Sequence, residues 1–82
     1  MIVRNPYVTE KAASLSAERN ALQFIVDIRA TKAQVKHEIE ELYGVQVIAV
    51  TTQVTPEGRK KATVTLGPAD SAEELASRLG VF

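Results

Sequence analysis

Residues 45–66 set a β-branched run, "VQVIAVTTQV", against a strictly alternating one, "KKATVTL", with only "TPEG" and one arginine between them. A connection this short cannot cross over a sheet, so the two runs form an antiparallel hairpin. Pro56 and Gly58 stand where a tight turn favours them. In the return strand Ala62, Val64 and Leu66 oppose Lys61, Thr63 and Thr65, giving one apolar and one polar face. The first strand is too uniformly apolar to assign a face.

Upstream of the hairpin, "ALQFIVDI" alternates, with Leu22, Phe24, Val26 and Ile28 on one face, and Ile25 hints that the other face is partly covered. "ATKAQVKHEIEELYG" carries clear helix signals. Thr31 and Gln34 have capping-box spacing, Val35, Ile39 and Leu42 recur at helical period, and Gly44 offers a left-handed stop, while Glu38, Glu40 and Glu41 are expected in solvent or nearly so. A shorter helix over roughly residues 10 to 16 is capped by Thr9, with Val8 placed to staple against Ala13 and "ERN" read as its closing turn. Near the C-terminus Ser71 and Glu74 repeat the capping-box spacing, Leu75, Ala76 and Leu79 make an apolar stripe, and Gly80 ends the helix. With a brief edge strand at Ile2 and Val3 the order is βαβαββα. A hairpin inside such an order predicts an α+β fold, an antiparallel sheet with helices packed on it, rather than a doubly wound parallel one.

Eighty-two residues supply one core and one domain, spanning 1–82. No apolar run is long enough for a bilayer, and "MIVRNP" lacks the apolar stretch of a secretory signal, which together imply a cytosolic protein with no membrane insertion. The chain has no cysteine, so disulfides, thiolate nucleophiles and sulfur-ligated metals are excluded, and a single histidine removes most other metal sites. Glycine-rich phosphate loops and nucleophile-base pairs are absent as well. His37 falls on the polar side of its helix, and the carboxylates of "HEIEEL" have no apolar pocket to separate their pKa values. No catalytic residue, metal or cofactor is therefore assigned.

The basic residues are more informative. Ten cations balance ten anions, so no global field draws the chain to nucleic acid, and any RNA contact must use local patches. Arg59, Lys60 and Lys61 cluster where the hairpin returns, Lys32 and Lys36 lie four apart on one helix, and Lys11 sits in the first turn of another. Thr51, Thr52 and Gln53 add neutral donors. Phosphate backbones take this mixture, because cations release counterions while neutral donors set register. Tyr7, Phe24, Tyr43 and Phe82 form no stacking platform of the RNA-recognition-motif kind. A ligand-binding module of ferredoxin-like outline would need an apolar cleft that the sequence does not reveal. A small acylphosphatase-like enzyme would rest only on isolated residues such as Arg4 and Asn20.

Taken in order, "NPYVTEKA", "LQFIVDIRATKAQVKHEIEELYGVQV", "VTTQ", "KKATVTL" and the terminal "ASRLGVF" resemble the L-twenty-three family of large-subunit ribosomal proteins in its archaeal form. The resemblance spans nearly the whole chain. It implies a four-stranded antiparallel sheet between helices and a structural, non-catalytic protein on large-subunit rRNA beside the tunnel exit. It further implies contact with a ribosomal protein of the L-twenty-nine type and a docking platform for nascent-chain factors, including the signal recognition particle. No small-molecule substrate is implied. On family motifs Lys32, Lys60 and Lys61 are the leading rRNA candidates, followed by Thr52 and Gln53, with Arg59, Lys36 and Lys11 as further ones. Glu10, with Thr9 before it, matches the acidic position used for factor docking. Three departures stand out: the "TPEGR" connection replaces the long loop of bacterial members that reaches the tunnel, Thr51-Thr52 replaces Asn-Thr, and the net charge is zero.

Overall fold

The computed structural model describes residues 2–6 and 10–80. In chain order its elements are β1 (Val3–Pro6), α1 (Glu10–Arg19), β2 (Ala21–Val26), α2 (Lys32–Tyr43), β3 (Val47–Val54), β4 (Lys60–Leu66) and α3 (Ala72–Leu79). The strands form one antiparallel sheet in the order β1-β2-β4-β3, and the class is α+β. β3 and β4 are the hairpin, and β2 lies along the other side of β4 with Phe24 opposite Ala62. Thr55 C=O accepts from Gly58 N–H at 2.9 Å, closing the turn, and Gly58 takes φ +80°, a backbone region that side-chain-bearing residues avoid.

The core fills one face of the sheet. Leu22, Phe24 and Val26 of β2 and Ala62, Val64 and Leu66 of β4 meet Val35 and Ile39 of α2 and Ala72, Leu75 and Ala76 of α3. Phe24 is fully buried and stacks on Tyr43, with ring centroids 6.2 Å apart. Full burial of such a side chain is worth about 1.5–3 kcal/mol. All six residues of β2 are buried, whereas β4, also flanked on both sides, is fully buried only at core-facing positions. β3 is an edge strand, and this leaves Ile48 58% and Val54 59% exposed.

Helix ends follow the local chemistry. Thr31 Oγ1 accepts from Gln34 N–H and Gln34 Oε1 accepts from Thr31 N–H, completing the capping box of α2. Gly44 closes that helix at φ +65°. Ser71 Oγ accepts from Glu74 N–H at the start of α3.

Several expectations are corrected. α1 runs to Arg19 rather than about 16, and it stops because Asn20 adopts φ 54°. β2 ends at Val26; the Asp27 carboxylate accepts from Arg29 N–H at 2.9 Å and turns the chain, carrying Ile28 out of the strand. Leu42 is 42% exposed, since the buried stripe of α2 follows the i, i+4 row from Val35 to Ile39 and leads on to Tyr43. Glu38 and Glu40 are half-buried and structural. Glu38 accepts from the backbone N–H groups of Ile2 and Val3, and Glu40 accepts from Val47 N–H at 3.0 Å, satisfying strand ends that sequence spacing does not reveal. The cap at Thr9, the Val8 staple and the terminal "VF" lie outside the described residues.

Candidate nucleic-acid interface

β2, the β3–β4 turn and the N-terminus of α2 meet at one end of the molecule. Val26 pairs with Lys60, and Lys60 pairs in turn with Val54, so the turn over 55–59 lies beside the β2–α2 loop. Lys60 Nζ donates to Ala30 C=O at 2.8 Å, which ties the hairpin to the residue just before the Thr31 cap. Lys32 begins α2 there, and Lys36 follows one turn on; both are exposed. Of the ten basic residues, six (Arg29, Lys32, Lys36, Arg59, Lys60 and Lys61) fall within 29–36 and 59–61, where no acid occurs. The flanking acids, Asp27 and Glu57, are engaged locally. A hydrogen bond from its own backbone N–H and then one from Thr55 hold the Glu57 carboxyl below its ordinary range, against an opposing effect of desolvation, with the Arg59 charge contributing least.

The structure divides the leading candidates. Strand alternation places Lys60 and Thr52 on the helix side of the sheet with Ala62, while Lys61 and Gln53, directly opposite each other, share the other face. Gln53 is exposed, whereas Thr52 and Lys61 are half-buried. Arg59 is exposed in the turn between these two faces. Lys32, Lys36, Arg59, Lys60, Lys61 and Gln53 therefore wrap around one end rather than lining one face. Glu10 and Lys11 open α1, but their side chains, like the whole of Thr9, lie outside the described residues.

Arg29 was not singled out by sequence reasoning. It is exposed in the loop that brings Lys32 to the hairpin. The available signal was "VDIRATK", in which Asp27 as a turn former ends the strand early and places Arg29 among the other cations. Beside it, Ile28 and the Gly58–Lys60 segment border a depression of about 380 Å³.

Among the described residues the other titratable groups form no catalytic or metal-binding cluster. His37 Nε2 lies 3.2 Å from a Glu41 carboxylate oxygen, with both side chains mostly in solvent, where such a pair contributes little. Among the described residues no three potential metal ligands cluster, and no helix is long and apolar enough to cross a membrane. Phe24 is fully buried and stacks on the half-buried Tyr43, so Phe24 offers no face to a base.

A small α+β domain with six of its ten cations gathered at one end is the class that fold and surface define. The sequence model of the family described as Ribosomal protein L23 matches residues 1–74, and the chain belongs to that family. It is 51% identical over 81 residues to the large ribosomal subunit protein uL23 of Halobacterium salinarum, covering 99% of this chain and 96% of that one. The protein of the same name from Haloquadratum walsbyi is 48% identical over the same shares of both chains. That of Methanococcoides burtonii is 47% identical, covering 96% of this chain and 95% of its own. These relatives are named as large ribosomal subunit proteins.

Proposed function

We propose that this chain is a structural component of the large ribosomal subunit in the cytoplasm, held on large-subunit rRNA by the basic end formed by the β2–α2 loop, the start of α2 and the β3–β4 turn. The observation that carries this reading is the gathering of six cations from two separate segments in a chain of zero net charge. Equal charge totals give no long-range pull, so a cation-rich end supplies the phosphate contacts while Gln53 and the neighbouring threonines provide neutral donors. The archaeal relatives named as large-subunit proteins support the same assignment.

Its place is beside the tunnel exit, next to a protein of the L-twenty-nine type, where it forms part of the docking platform for the signal recognition particle and other nascent-chain factors. The connection over 55–59 is too short to line the tunnel. Glu10, in the first turn of α1, is the docking carboxylate in this reading; in that turn it also favours the helix dipole, by about 0.3–1 kcal/mol.

The test is a salt titration of the purified chain on fragments of large-subunit rRNA, with an unrelated structured RNA as competitor. Tight, salt-sensitive binding that survives the competitor is expected, and indifference to every fragment refutes the reading. For Glu10, ribosomes carrying Glu10→Ala should keep the protein but recruit less signal recognition particle; equal recruitment returns Glu10 to a helix-start role.

A further inference from the structure

Four large apolar side chains are strongly exposed among the described residues: Ile28, Leu42, Ile48 and Val54. Of these, Ile28 alone belongs to the loop that joins the cations. It is 50% exposed and borders the depression of about 380 Å³, whose far wall is Gly58, Arg59 and Lys60. That volume lies at the small end of the roughly 300–1,000 Å³ typical of ligand clefts.

We infer that this depression receives a single unstacked base of the bound RNA, with Ile28 against the ring and the Arg59 guanidinium at its rim. The inference rests on the RNA reading above and names the place where that RNA is gripped by something other than charge. Three features select a base. Asp27 is among the lining residues, and its negative charge disfavours a phosphate entering the depression, while the cations around the rim hold the backbone outside. Ile28 supplies an apolar surface, and an Arg plane is a second surface on which bases stack. No aromatic ring of the described residues lines the depression, and Phe24 is buried against Tyr43. Lys60, fixed on Ala30 C=O, keeps its charge at the wall.

The experiment takes a large-subunit rRNA fragment that the whole chain binds and measures affinity against salt for the wild type, Ile28→Ser and Arg59→Gln, with single abasic sites scanned through the RNA. Ile28→Ser is expected to weaken binding about tenfold at every salt concentration with the slope unchanged, because an apolar contact releases no counterion. Arg59→Gln should lower both affinity and slope. One abasic position should reproduce the Ile28→Ser loss and add nothing to it. Wild-type affinity for Ile28→Ser and for every abasic RNA overturns the base site while leaving the RNA reading intact. Failure of the wild type to bind any fragment overturns both.

Discussion

Asn20 Oδ1 accepts a hydrogen bond from Ala72 N–H at 2.7 Å, joining the residue after α1 to the first residue of α3 across 52 positions. The Nδ2 group of the same side chain donates to the carbonyls of Leu66, Gly67 and Asp70, so one carboxamide closes the end of the molecule opposite the basic one. Asn20 also stands at φ 54°, which asparagine tolerates better than most residues.

Asn20→Ala should therefore cost roughly 2–4 kcal/mol, combining the missing hydrogen bonds with a left-handed backbone that alanine disfavours. Asn20→Gly removes the same bonds without that backbone cost and should lose about 1 kcal/mol less. Urea denaturation of the two variants separates the contributions, and equal midpoints would show that backbone conformation is irrelevant at this position.

Glu38 on α2 holds β1 through the N–H groups of Ile2 and Val3. Glu38→Ala should lower stability by about 1.5–3 kcal/mol and speed hydrogen exchange at both amides. Unchanged exchange at Ile2 and Val3 would show that the sheet edge stands without this carboxylate.

Tyr43 is the group for an alkaline test. Burial, and secondarily the negative charge of Glu38, raise its pKa above the ordinary tyrosine value. A phenol whose folded pKa exceeds its unfolded one contributes stability that is fully present below the unfolded value, near 10, and is lost as pH rises through the folded value. In a Tyr7→Phe background, absorbance titration should show Tyr43 ionising above the free phenol. Tyr43→Phe should remove its part of the alkaline loss of stability, and a titration at or below the ordinary value would contradict its packing against Phe24.

The cations of the basic end should differ in kind. Lys32→Gln and Lys36→Gln are expected to lower the salt slope of RNA binding by about 0.7–0.9 for each phosphate left without its cation, with thermal midpoints unchanged. Lys60→Ala should lower stability as well, because its ammonium group is hydrogen-bonded to Ala30 C=O. Melting curves set beside salt titrations distinguish the two behaviours, and a Lys60→Ala variant as stable as the wild type would detach that lysine from the fold.

Local chemistry was legible in the sequence wherever both partners lie within one turn of chain. The Thr31–Gln34 box, the Gly44 stop and the Thr55–Gly58 turn needed nothing beyond neighbours three or four residues apart. The α+β class follows from the same source, since alternation and helical period are written residue by residue. Leu42 and Ile28 show the limit: a periodic position says that a face exists, while neighbouring elements decide where the face turns from core to solvent.

The sequence by itself determined which segments are helix and which are strand, that β3 and β4 pair, and that cations are present without a net positive charge. Only the tertiary structure decided that Lys60 reaches Ala30, that Glu38 and Glu40 serve strand backbones, and that Arg29 joins the cations of the hairpin. The reason is physical. A side chain's partner at long range is chosen by how the sheet and helices close over a shared core, and that closure depends on packing among all of them at once.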